Sequence, residues 1–470
     1  MSEPTPSSRR ADPVDFSGRF LFLTEDEGLL QRQLAGEDLE FDSDWKLIDN
    51  ISTDEITPGW VCFHYDEMLG YYSLVGLRGE HIKPGSLREG GFGVVVSGIS
   101  KGCGSSRETA PYSELWAGAQ LVIANSVEKI YGQNCQNIGM LVSDDFGLIE
   151  RIKAGEKIPL AEFTKGLDPI ATEIVLHGGL FSYNQARLSG AVSPPTIETA
   201  ARPMNLAEKI IARRAIADAK TGATGIPFVK PGDALFVRTD IRFSHDYTTA
   251  MCASLMKKAL GPDAQVTDPS SVYAFRDHLT FIGDVMAPKH RKLGLLEKAN
   301  GLADEQREFA NAQGIRLYDE VKTEDGTKGS EAICHNAVLE DLALPGDIVC
   351  GTDSHTCTAG ALGTFAFGVG STDMANAWYT KDCRVRVPEV VRYRLLGKPS
   401  EDITAKDVIL YIMAQDYIRE GKAIGQVLEF VGEGLQHLNF DERATLTNMA
   451  VEAGAFTGVI EPDEVVTQYL

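Results

Sequence analysis

Residues 351–378 read GTDSHTCTAGALGTFAFGVGSTDMANAW, and this stretch decides what kind of chain it belongs to. It follows an apolar run at 347–350 and opens with Asp353, Ser354 and His355 side by side. Such groups at the end of a buried strand are costly to desolvate without partners. A satisfied turn would accommodate them, and so would a site. The glycines of GVGSTD do not complete G-x-G-x-x-G, which sets a dinucleotide loop aside.

Similar combinations recur around it. Asp277 and His278 stand in RDHLTF, His335 lies in ICHNAV, and Asn448 and Glu452 in LTNMAVEAGA are spaced to share one helical face. Any single histidine reads best as a core residue. Three histidines with nearby carboxylates read as a site, because carboxylate–imidazole pairing tunes and orients proton-transfer groups. The first half carries GCGSSRE at 102–108, between a strand-like run at 93–99 and a helical stretch. Its backbone N–H groups, Ser105, Ser106 and Arg107 suit one anion, although the same letters also make an ordinary turn. Upstream, NISTD at 50–54, with Thr53 and Asp54, is an Asx/Ser/Thr-rich turn.

The 470 residues exceed one compact core, so two to four domains are expected. The 45 basic and 67 acidic side chains leave a formal charge of −22. That argues against general affinity for nucleic acid or an anionic membrane. An anionic substrate then needs a local cluster of Arg, His and N–H groups. No stretch approaches the ~18–20 apolar residues of a membrane span. The polar residues 1–16 read as a flexible tail rather than a secretory signal. The eight cysteines (62, 103, 135, 252, 334, 350, 357 and 383) never form C-x-x-C. They read as reduced thiols, and the cytoplasm is the simplest address. Residues 186–204, ARLSGAVSPPTIETAARPM, read as a linker. Asn205 with Glu208 then forms a capping box that opens a helix with an apolar stripe at Leu206, Ile210 and Ile211. Strand-like runs at 93–99, 120–124, 234–237 and 347–350 alternate with helical stretches, so both halves are expected to be α/β.

Together these motifs resemble the aconitase superfamily, which includes isopropylmalate isomerases and homoaconitases. Besides 351–378, RPMNLAEKIIARRA at 202–215, RFSHDYTTAM at 242–251, TAKDVILYIM at 404–413 and TLTNMAVEAGAFTGVIEPDE at 445–464 follow the family's order. NISTDEITPG, KGCGSSRETAP and VIANSVEKIYGQNCQNIGML look like the family's small, swivel subunit. The resemblance implies a tail at 1–16, a swivel domain at 17–185, a linker at 186–204, and at 205–470 aconitase-type three-layer α/β/α core domains. It implies Ser105 as the general base, with Arg107 binding carboxylate and stabilising the alkoxide and Ser106 as a neighbouring donor. Asp277–His278, His335 with Asp353, and His355 with Glu452 match three acid–histidine pairs, His278 being the proton donor to the leaving hydroxyl. Ser354, Asn448 and His245 match lining positions. Thr53, Asp54 and Arg78 are expected to meet the substrate, Arg78 at a third carboxylate or other anionic group.

Two departures qualify the resemblance. The swivel-like segment stands first, where fused aconitases place it last. The family's cluster-holding cysteines belong to a later domain that this sequence does not contain. The first reading is therefore a hydro-lyase or isomerase acting on a hydroxy di- or tricarboxylate. Its [4Fe–4S] cluster would be held by cysteines of a partner chain, with no metal ligand from this one. A second is a regulatory or scaffold protein that binds a tricarboxylate or a protein partner without chemistry. A third has the chain's own thiols, such as Cys350 and Cys357, hold metal, but their spacing fits no cluster motif.

Overall fold

The computed structural model describes residues 9–104, 108–331 and 333–470. The chain forms two compact units. One comprises Met1–Val192 with Lys257–Ala259 and Ala287–Ala299, and the other Ser193–Met256, Leu260–Met286 and Asn300–Leu470.

The first unit is built on four parallel strands in chain order: β1 (Arg19–Phe22), β2 (Phe92–Ser97), β3 (Leu121–Ala124) and β4 (Leu141–Ser143). Parallel neighbours require crossovers, and the helices Thr109–Ala117 and Lys129–Ile138 supply two of them. β2 reads FGVVVS and is buried throughout. Val95 and Val122 pack into one core, while Val94, Val96, Leu121 and Ile123 pack into another. That period-two split is what a parallel sheet shows when both of its faces are covered.

The second unit holds β5 (Ala234–Arg238), β6 (Ile241–His245), β7 (Val272–Phe275), β8 (Arg316–Tyr318), β9 (Ile348–Gly351) and β10 (Phe365–Gly368). It continues with β11 (Asp382–Arg386), β12 (Val390–Arg394), β13 (Val427–Val431) and β14 (Thr457–Ile460). Its main sheet is parallel throughout, in the order β8-β7-β6-β9-β10. β5 pairs antiparallel with β11, and β12-β13-β14 form a smaller parallel sheet. The chain winds from β6 out to β8 and then resumes at β9 on β6's other side. Strand order therefore reverses between β6 and β9, and in such sheets ligands bind outside the carboxyl ends at that crevice.

The fold is thus α/β in both units, and the strand-like runs read from sequence are β2, β3, β5 and β9. The helix Leu206–Arg214 opens on the expected box: Asn205 accepts the Glu208 N–H at 2.9 Å, and the Glu208 carboxylate accepts the Asn205 N–H at 3.0 Å. One local expectation fails. Asn448 ends the helix Phe440–Asn448, and Glu452 lies beyond it, in a turn where its N–H donates to the Met449 carbonyl at 3.1 Å. The chain must leave the helix there to return as β14. Gly458 of that strand passes so close that a Cβ on it would meet Ala450 Cβ at 2.9 Å. No helix among the described residues is long and apolar enough to cross a membrane.

Candidate active site

The carboxyl ends of β6, β7 and β9 carry His245 with Asp246, Asp277 with His278, and Asp353 to His355. β6 ends at His245, followed by Asp246, which is fully buried and accepts three backbone N–H groups. These come from Asp277 at 3.2 Å, His278 at 3.2 Å and Leu279 at 2.8 Å. Burial pushes the Asp246 carboxyl upward, but the His245 imidazole 3.8 Å away and the hydrogen bond from the Leu279 N–H outweigh it and leave it below the usual range. One carboxylate therefore fixes the turn that aims His278. The His278 ring stacks on His245 with centroids 4.1 Å apart.

Asp353 is the hub of the cluster. Its Oδ1 lies 3.0 Å from His335 Nε2 and accepts the His355 N–H at 2.7 Å, and its Oδ2 lies 3.3 Å from His278 Nε2. Burial alone would raise this carboxyl, yet the bonds from His278, His335 and His355 hold it far below the carboxylate range. Asp353 in turn raises His278 and His355 above the ordinary imidazole value. His355 Nε2 meets Glu452 Oε1 at 3.0 Å, and Ser354 Oγ lies 3.3 Å from His355 Nδ1. Asn448 Nδ2 donates to Thr358 Oγ1 at 2.9 Å. The result is a connected acid–base network on the crevice where strand order reverses.

Two of the three expected pairs, His335–Asp353 and His355–Glu452, are in hydrogen-bond contact. The third is arranged differently. Asp277 Oδ2 accepts the Cys334 N–H at 3.0 Å, while His278 turns to Asp353. The turn held by Asp246 directs the two neighbouring side chains apart, so Asp353 takes His278 in addition to His335 and His355.

Ser105, Ser106 and Arg107 lie outside the described residues. Their flanks in the first unit are tightly placed. The Gly102 and Cys103 N–H groups donate to the Ile51 carbonyl at 2.8 and 3.1 Å, and the Thr53 N–H donates to the Cys103 carbonyl at 2.8 Å. The turn at 50–54 and the loop at 102–104 are thus laced together, with Thr53 buried and Asp54 exposed. Ser52 and Glu55 form a capping box on the short helix Thr53–Ile56. Arg78 binds Glu55 through Nε at 2.7 Å and Nη2 at 2.9 Å, and it also donates to the Asn50 carbonyl at 2.9 Å. Burial raises the Glu55 carboxyl, and the bonds from Arg78 and the Ser52 amide outweigh it, leaving it below the usual range. Arg78 is therefore a clamp on this turn. Meeting an anion requires its Nη1 or its release from Glu55.

Sequence reasoning passed over Asp246 and Glu55. The His-Asp dipeptide at 245–246 mirrors Asp-His at 277–278, and Ser52-x-x-Glu55 spells a capping box, so both left a signal. His245, Asp246 and His278 place donor atoms within 4.8 Å of one another. Asp246, however, is occupied by three amides and has Arg276 at 3.8 Å, which opposes a cation. The thiols fare no better as ligands. Cys350 and Cys383 lie 3.7 Å apart, and their contact with burial raises Cys383. Burial raises Cys334 and pushes Cys357 up to about 12. Cluster binding requires thiolates, and burial opposes the thiolate at Cys334, Cys357 and Cys383.

Residues 208–470 match the model of the aconitase family (aconitate hydratase), and residues 87–143 match the aconitase C-terminal domain. The 3-isopropylmalate dehydratase large subunit 1 of Pyrococcus furiosus is 38% identical over 268 residues, 57% of this chain and 56% of that protein. The large subunit from Caldicellulosiruptor saccharolyticus is 37% identical over 270 residues, 57% of this chain and 56% of that protein. The chloroplastic large subunit of Arabidopsis thaliana is 33% identical over 282 residues, 59% of this chain and 51% of that protein. The chain spans about half the length of these curated relatives. A solved 3-isopropylmalate dehydratase (leuD) from Methanocaldococcus jannaschii is 29% identical, covering 30% of this chain and 89% of that one with a TM-score of 0.23.

Proposed function

Because this chain belongs to the aconitase family, we propose that it is a subunit of a hydro-lyase that dehydrates, and rehydrates, a hydroxy di- or tricarboxylate. The observation that carries this reading is Asp353 shared among His278, His335 and His355, with Glu452 behind His355. A carboxylate held ionised beside His278 and His355, both raised above the ordinary imidazole value, favours the protonated rings that can donate. His278, at 38% side-chain exposure, is the most open of the three and takes the role of donor to the leaving hydroxyl. His355, also raised, holds charge that steadies the substrate's carboxylates, and His335 is oriented by Asp353, with Ser354, His245 and Asn448 lining the site.

The first unit completes the reading. Ser105 removes the α-proton, Arg107 and Ser106 stabilise its anion and a substrate carboxylate, and Thr53, Asp54 and Arg78 face the variable end of the substrate. In domain terms, 17–185 is the swivel, 186–204 the linker and 205–470 the core region. The cofactor of this reading is a [4Fe–4S] cluster whose cysteine ligands come from a partner chain, consistent with burial that opposes the thiolate at Cys334, Cys357 and Cys383. The fit of Asp277 is positional: by accepting the Cys334 N–H it holds the segment that carries His335.

The test is anaerobic purification of the tagged chain from its host, with identification of co-purifying protein and assay of iron and sulfide. The complex is then screened against 2- and 3-hydroxy di- and tricarboxylates by ultraviolet absorbance of the alkene acid. A stoichiometric partner with cysteine ligands and turnover of one of these substrates are expected. A complex that binds a tricarboxylate and turns over none would replace this reading with the regulatory one.

A further inference from the structure

Beneath the loop of the first unit lies an ion pair that the proposed chemistry does not use. Lys101 Nζ donates to Glu114 Oε1 at 2.8 Å, and both side chains are at 0% exposure. The second Glu114 oxygen accepts the hydroxyl of Tyr131, which is also buried. Lys101 immediately precedes Gly102, and Glu114 lies within the helix Thr109–Ala117 that follows the loop. The pair therefore joins the residue before the segment at 102–108 to the helix after it.

The backbone around Lys101 is fixed as well. Its N–H donates to the Ser126 carbonyl at 3.0 Å, and its carbonyl accepts the Glu128 N–H at 2.9 Å. Tyr131 also sets the loop's path. Gly102 adopts φ +82°, and a Cβ on it would meet the Tyr131 ring at 2.2 Å. The same side chain thus caps the carboxylate and presses against the glycine where the loop begins.

Energetics say this is not a stability device. Removing two charges from water costs more than well-packed apolar residues of similar volume would, and replacing such pairs by hydrophobes is often neutral or stabilising. What a buried, partnered pair supplies is one geometry. We propose that Lys101, Glu114 and Tyr131 are positioning residues that hold the loop at 102–104 in register with the turn at 50–54, and so fix the backbone up to Gly104, the residue before Ser105. This rests on the role given to Ser105 above.

The test uses the full chain, alone for hydrogen exchange and in its purified complex for turnover. In the double variant Lys101→Met with Glu114→Leu, which also takes the carboxylate from the Tyr131 hydroxyl, the melting temperature is expected to fall only slightly. Amide exchange at 102–104 is expected to quicken at least tenfold, and kcat to fall at least tenfold with KM within about twofold. Tyr131→Phe, which keeps the ring against Gly102, is expected to quicken exchange by a smaller factor and covers the case of a double variant that fails to fold. Lys101→Arg is expected to restore part of kcat. Unchanged exchange at 102–104 in a folded variant overturns the inference. Quickened exchange with wild-type kcat overturns its link to Ser105. A wild-type complex that turns over no hydroxy acid sinks the functional reading, while the exchange measurement still decides the loop's positioning.

Discussion

His335 Nε2 and Asp353 Oδ1 lie 3.0 Å apart, and this contact ties the short helix Cys334–Ala337 to the end of β9. Because Asp353 also faces His278 and His355, the three rings share one carboxylate. Asp353 lies far below the free carboxylate value of about 3.9, so its contribution to stability is present above about pH 4 and lost as pH falls through its lowered pKa. His278 and His355 lie above the free imidazole value of about 6.5; their contribution is full below about pH 6.5 and lost as pH rises through their raised pKa values. The cluster therefore stabilises the second unit most between about pH 4 and 6.5. Melting temperature measured across the alkaline side is expected to fall. In Asp353→Asn that fall is expected to flatten, with a loss of about 2 kcal/mol at pH 6, less than a fully buried pair because His278 is partly open to water. An unaltered alkaline slope in the variant would show that the hub carries no linkage.

His278 is expected to be the most sensitive residue for turnover. His278→Gln keeps a polar side chain of similar reach but loses the transferable proton, so kcat of the assembled complex should fall by about 10²–10⁴. KM should change little, since the carboxylate contacts are assigned elsewhere. A variant within a fewfold of wild type in kcat would move the donor role to another group.

Most of the fold was legible because its local and global signals agree. The apolar runs at 93–99 and 347–350 become strands buried on both faces, and the Asn205–Glu208 box opens its helix. The candidate residues of the second unit were legible as types, histidines with carboxylates nearby, several of them at strand ends. Their pairing was not. Whether His278 meets Asp277 or Asp353 depends on Asp246, which lies 31 residues before Asp277 and acts through backbone N–H groups that no side-chain pattern reports. Glu452 was misplaced onto the helix for a related reason. A spacing of four fits a helix only while the helix continues, and the close passage of β14 ends it at Asn448.

Asp246 supplies the sharpest stability prediction. Its buried carboxylate accepts three N–H groups, and an amide in its place presents one oxygen and an NH₂ that meets donors head-on. Asp246→Asn is expected to cost about 3 kcal/mol in denaturant unfolding, the scale of losing charge-assisted bonds in a buried site. Asp246→Glu, which keeps the charge at the wrong length, should also lower kcat. A loss below about 1 kcal/mol for the Asn variant would mean the turn at 277–279 holds itself.

Arg78 and Glu55 can be separated by substitution. If Arg78 acts only as a clamp, Arg78→Ala and Glu55→Gln should both loosen the turn at 50–54 and lower turnover of every substrate alike. If its guanidinium also meets the substrate, Arg78→Ala should raise KM selectively for substrates with an additional anionic group, while Glu55→Gln frees the fork and leaves or lowers that KM. KM measured for a dicarboxylate and a tricarboxylate in both variants distinguishes the two roles. Equal effects on both substrates in Arg78→Ala would end its role in specificity.

The thiols make a prediction independent of turnover. Alkylation proceeds through the thiolate, so it needs both solvent access and an ionisable thiol. Cys334, Cys357 and Cys383 are buried and raised, whereas Cys62 and Cys103 are partly accessible, with Cys103 also raised. Iodoacetamide at pH 8 on the native chain, read by peptide mass spectrometry, is therefore expected to label Cys62 first and Cys103 more slowly. Cys334, Cys357 and Cys383 should label only after denaturation. Rapid native labelling of Cys357 or Cys383, protected by added ferrous iron, would show that these thiols open to metal and would restore the chain's own cysteines as candidate ligands.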